Sequence, residues 1–209
     1  MKINHNINRV EALSDAVFAF AATLMVVSLG SGDTLLELKS NFKNLISFGV
    51  SFFVLIALWK LHYNYFRRNN YLDNRIITYN SVLLFVVLYF VFPLKSLTGT
   101  WLKQSAVSLN DLASLFILYS LGFLLIFLCF SLMYKRAYKK SEKNSITLLF
   151  YHRHFLIFVV VALVSILLAI FKIGIIFGVP GFVYAFLGPL CYFHALKFNK
   201  KHPDFIQKK

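Results

Sequence analysis

Long apolar stretches broken by few charges recur six times along the chain, at about 10–30, 42–64, 76–96, 111–134, 147–171 and 175–196. Each is close to the roughly 20 residues a helix needs to cross a bilayer. The third (Ile76 to Leu94), fourth (Leu112 to Tyr134) and sixth (Ile173 to Leu196) contain no Asp, Glu, Lys or Arg. The second is uncharged from Leu45 to Trp59. The fifth is uncharged from Phe155 to Phe171, with Arg153 and two histidines at its start, where long polar side chains can snorkel to the interface. The first differs, because Glu11 and Asp15 stand at its beginning. The pattern predicts an all-α, multi-pass protein of the cell membrane, a single six-helix domain over residues 1–209.

Charge orients the spans. With the N-terminus in the cytoplasm, sixteen Lys and Arg fall on the inner side, among them Arg9, Arg67, Arg68, Arg75, Lys135, Arg136, Lys139 and Arg153, and the lysines from Lys197 to Lys209. The outer side receives five: Lys39, Lys43, Lys95, Lys103 and Lys172. Short loops rich in Lys and Arg stay inside, so both termini are expected to be cytoplasmic.

Composition removes several function classes. At 59% hydrophobic and 14% charged, the chain is far from soluble domains, which carry about 25% charged residues. The net charge of +14 does not point to nucleic acid, because the basic residues flank apolar runs instead of forming a face on a soluble domain. Cys129 and Cys191 lie inside apolar runs and read as small core residues, so neither a disulfide framework nor a metal site is expected. An enzyme needs converging titratable groups. Here Asp15, His62 and His194 are scattered over three runs, and His152 and His154, two apart on a helix, face different directions.

Three segments carry polar residues of interest. The first run opens Arg9-Val10-Glu11-Ala12-Leu13-Ser14-Asp15. A carboxylate inside a membrane helix costs about 2.5–3.5 kcal/mol and has to be partnered or line water, unless it sits at the interface as a helix-start residue. The second run closes with Trp59 and His62, which share a face with Phe66. The third carries Asn80 just inside its start, follows Asp73, and reaches Phe92-Pro93, where a helix end is expected. An intramembrane Asn hydrogen-bonds across helices.

Together these pieces resemble the prokaryotic relatives of the lysosomal potassium channel transmembrane protein 175. The likeness lies in Arg9, Ser14 and Asp15, in Trp59 and His62, and in Asp73, Asn80 and Phe92-Pro93. Leu13 departs from it, standing where the family has Phe. The resemblance implies a homotetramer whose first helices line a central pore for monovalent cations, K⁺ foremost, with no cofactor. It implies a polar network of Arg9, Ser14, Asp15, Trp59, His62 and Asn80. It also implies an apolar constriction at Phe20, Leu24 and Val27, with Thr23 as a pore-facing hydroxyl.

Helix geometry tests that transfer on its own terms. At 100° per residue, Thr23, Leu24 and Val27 lie about −60°, +40° and −20° from Phe20, forming one stripe, while Ser14 and Asp15 lie about 120° and 140° away on opposite sides. The stripe by itself suits lipid or core contact as well as a pore. No Thr-Val-Gly-Tyr-Gly segment is present, so a filter of carbonyl rings is not indicated, and a modest preference for K⁺ over Na⁺ at a hydrophobic gate is expected. The alternative is a substrate-binding membrane subunit of a vitamin-type importer, whose aromatic pocket would employ the 24 Phe and 11 Tyr.

Overall fold

The computed structural model describes residues 6–27, 35–103, 108–140 and 145–203, of which 35–44 and 98–103 contribute backbone alone. Lys2, Lys143, Lys208, Lys209 and the last residues of the first expected span lie outside the described residues, as do the side chains of Lys39, Lys43 and Lys103. The chain forms α1 (Ile7–Val27), α2 (Leu35–Arg68), α3 (Asn74–Lys103), α4 (Leu109–Lys140) and α5 (Ile146–Ile170). A broken C-terminal segment follows: a 3₁₀ turn (Ile175–Phe177), α6 (Val179–Phe182), a second 3₁₀ turn (Val183–Phe186) and α7 (Leu187–Lys201). Among the described residues, six helical segments are long and apolar enough to cross a membrane, making this an all-α multi-pass membrane protein.

Two boundaries differ from expectation. Phe92-Pro93 does not end the third helix: Pro93 lies inside α3, which runs on to Lys103. A proline withholds one N–H and crowds one carbonyl, which a helix packed on its neighbours tolerates. The sixth span is not one helix from residue 175. Gly174 and Gly178 adopt φ of 61° and 69°, a left-handed backbone that glycine enters without a Cβ penalty. Pro180 then stands in the first turn of α6, where its missing N–H costs nothing. The uninterrupted helix therefore starts at Leu187.

α4 and α5 form the most extensive pair, joined by an aromatic ladder. Phe127 stacks on Phe158 at 4.3 Å and lies 5.6 Å from Phe155; Tyr134 stacks on Tyr151 at 5.3 Å. Ring pairs at such spacings add about 0.5–1.5 kcal/mol each beyond area burial. Much of the chain's aromatic content is thus internal glue. α3 packs on the other flank of α4, where Gly122 lets the buried Phe90 ring approach closely. α1 sits against both α2 and α3, burying Ser14, Phe18, Ala21 and Met25. These recur every three to four residues, the spacing of one helix face.

Candidate functional site

The buried face of α1 carries a chain of hydrogen bonds across three helices. His62 Nε2 on α2 lies 2.7 Å from Asn80 Oδ1 on α3. Asn80 Nδ2 donates to Ser14 Oγ at 3.0 Å, and Ser14 Oγ donates to Val10 O at 2.7 Å. A serine hydroxyl has one proton. Committed to Val10, it leaves Ser14 as acceptor toward the Asn80 amide, which turns the Asn80 carbonyl to His62 and makes His62 Nε2–H the donor. Ser14, His62 and Asn80 are all buried, so each bond replaces one that water cannot supply. The imidazole is clasped by Phe18 at 5.5 Å and Phe66 at 5.0 Å.

A second tie joins α1 to α2 one residue along. Trp59 Nε1 donates to Asp15 Oδ1 at 2.8 Å, the partner that a carboxylate at this position requires. Trp59 and His62, three residues apart, thus hold adjacent residues of α1, one directly and one through Asn80. Arg9 is exposed on the first turns of α1, and among the described residues no hydrogen bond joins it to this set.

Among the described residues, none covers the opposite face of α1. Phe20 is 56% exposed and Val27 73%; Thr23 is exposed and Leu24 half-buried. Leu13 and Ala16 extend the same open face. The Thr23 hydroxyl donates back to Ala19 O at 3.0 Å, so its oxygen turns lone pairs outward. Oxygen lone pairs are what a hard monovalent cation accepts in place of water.

Sequence reasoning missed what Asp73 does. Its Oδ1 accepts the Ile76 N–H at 3.0 Å and its carbonyl accepts Ile77 N–H at 3.0 Å, so it caps α3. Its Oδ2 meets Arg136 Nη2 at 2.7 Å and Nε at 2.8 Å, tying the end of α4 to the α2–α3 turn. Partial burial opposes the Asp73 charge, but the Ile76 N–H and Arg136 outweigh it and hold its pKa below the ordinary 3.8. The signal was legible as an Asp three residues before an apolar run.

Comparison with known proteins adds four findings. Residues 9–91 match the family model described as "Endosomal/lysosomal potassium channel TMEM175". A curated protein of Marivirga tractuosa, described as a potassium channel, is 37% identical over 149 residues; the match covers 64% of this chain and 60% of that protein's length. The crystal structure of a variant of the potassium channel MtTMEM175, in complex with a nanobody fusion, superposes with a TM-score of 0.79 at 27% identity, covering 95% of this chain and all of that one. A homologue of the channel from Chamaesiphon minutus shares the fold, with a TM-score of 0.62 at 22% identity over 92% of this chain and 97% of its own.

Proposed function

We propose that this chain, a relative of the bacterial TMEM175 channels, is the subunit of a potassium-permeable cation channel in which α1 lines the pore. The chain spans about 60% of the length of the curated relative it matches. The similar proteins are described as channels, not enzymes. The observation that carries the reading is the two-sidedness of α1. One face is pinned to α2 and α3 through Ser14, Asp15, Phe18, Ala21 and Met25. Phe20, Thr23, Leu24 and Val27 lie on the face turned away from the subunit.

In this reading four subunits bring the open faces of α1 around a common axis. The polar set of Ser14, Asp15, Trp59, His62 and Asn80, with Arg9 at its margin, positions the helix and does not touch the ion. An apolar ring selects by dehydration. The smaller an ion, the more tightly it holds its water, so K⁺ crosses a narrow ring of Phe20, Leu24 and Val27 at less cost than Na⁺, and a ring too narrow for water closes by dewetting. Thr23 oxygens restore part of the lost hydration. Selectivity is modest because no array of carbonyls replaces the whole shell.

Purified protein reconstituted into liposomes tests the proposal. A K⁺ gradient is expected to drive cation flux with K⁺ preferred over Na⁺, and chemical cross-linking to give species up to a tetramer. Ion-tight liposomes holding monomeric protein would overturn it.

A further inference from the structure

Among the described residues, three of the six buried polar side-chain atoms without a hydrogen-bond partner belong to one histidine pair between α5 and α7, His154 Nδ1 and both Nδ1 and Nε2 of His194; the others are His62 Nδ1, Tyr184 Oη and Asn199 Oδ1. Buried ring nitrogens normally find a partner, so a pair of histidines without one is free to take up a ligand. The two imidazoles lie 5.6 Å apart, centroid to centroid, inclined at 54°. Two imidazoles bound to one metal at Zn–N distances of about 2.0–2.1 Å place their ring centres about 5–6 Å apart. Phe150 stacks against His154 at 5.3 Å and lies 5.2 Å from His194.

His152 shows what a satisfied histidine looks like on the same helix. Its Nδ1 lies 3.0 Å from Ser131 O and 2.8 Å from Ser131 Oγ, on the opposite flank toward α4. The two-residue spacing of His152 and His154 sends one ring to a serine and the other to His194.

We propose that His154 and His194 form a binding site for a borderline divalent transition metal, of the Zn²⁺, Ni²⁺ or Co²⁺ class. Neutral imidazoles suit these ions and not K⁺, Mg²⁺ or Ca²⁺, which take oxygen ligands. Among the described residues no third His, Cys, Asp or Glu joins the pair, so water completes the shell. Arg153, exposed and next to His154 in the chain, carries the same sign of charge as the metal and weakens its affinity. Phe198 is the one buried residue of α7; metal across the pair staples α7 to α5.

The test is titration of the purified, detergent-solubilised full-length protein with Ni²⁺ or Zn²⁺ alone, read by thermal unfolding and calorimetry, with Co²⁺ absorption reporting nitrogen ligation. Saturable stabilisation is expected. His194→Phe and His154→Phe keep an aromatic ring in place and are expected to lower affinity about tenfold or more. Arg153→Gln leaves both ligands in place and is expected to raise it severalfold. Metal binding unchanged by all three substitutions, or no saturable binding to the folded wild type, overturns the site.

Discussion

Asn80 serves two partners at once, accepting from His62 and donating to Ser14, so its loss strands buried groups on two other helices. Asn80→Ala is expected to destabilise the subunit by about 1–3 kcal/mol, the cost of an unsatisfied buried partner, measured as a fall in thermal midpoint in detergent. Coupling distinguishes a hydrogen bond from mere packing. His62→Phe combined with Asn80→Leu should cost less than the sum of the single changes, because the double variant leaves neither member of that bond unpaired; strict additivity would reject the network. Asp73 gives a pH dependence. Its folded pKa lies below the ordinary 3.8, so its contribution is fully present above the unfolded value and is lost as pH falls through the lowered folded value. Asp73→Asn should therefore flatten the decline in thermal stability below about pH 4 while lowering stability at neutral pH. A decline of unchanged steepness would assign it to other carboxylates. Asp15 and Asn80 were readable as polar residues needing partners; that the Asp73 partner is Arg136, 63 residues away, was not, because the meeting depends on how α3 and α4 pack.

At the scale of the element, the helices were legible because hydrocarbon enforces internal hydrogen bonding and therefore long apolar runs. What the runs hide is how a helix behaves at its punctuation. Pro93 reads as a terminator yet is carried inside α3. Gly174, Gly178 and Pro180 look tolerable within an apolar run yet divide the last one. Close packing is equally hidden, since Gly122 owes its place to Phe90, 32 residues earlier in sequence. A Cβ there would stand 2.7 Å from Phe90 Cδ2, and the ring is almost fully buried. Gly122→Val is expected to cost about 1–3 kcal/mol by overpacking, seen in thermal unfolding, and a smaller side chain in Phe90→Leu should recover part of the loss. No recovery would locate the strain elsewhere.

For the whole molecule, the decisive feature is that α1 presents apolar residues to the outside of the subunit while polar ones bind it inward. That division was legible from helical periodicity; which of lipid or other subunits meets the open face was not, because the same stripe suits both. The proposed constriction makes the distinction measurable. Phe20→Ala is expected to raise K⁺ flux through reconstituted protein and to lower its preference over Na⁺, since a wider ring strips less water. Unchanged flux would remove Phe20 from the conduction path. The bonds at Ser14 and Asp15 carry a mechanical consequence. They leave α1 in directions about 100° apart around its axis, one to Asn80 and one to Trp59, so together they lock its azimuth. A rod held in this way about a third of the way along cannot spin without tearing both fastenings. In the proposed channel, widening the passage is therefore expected to shift or tilt α1 together with the α2 and α3 residues that pack on Phe18, Ala21 and Met25, while every side chain keeps its compass bearing.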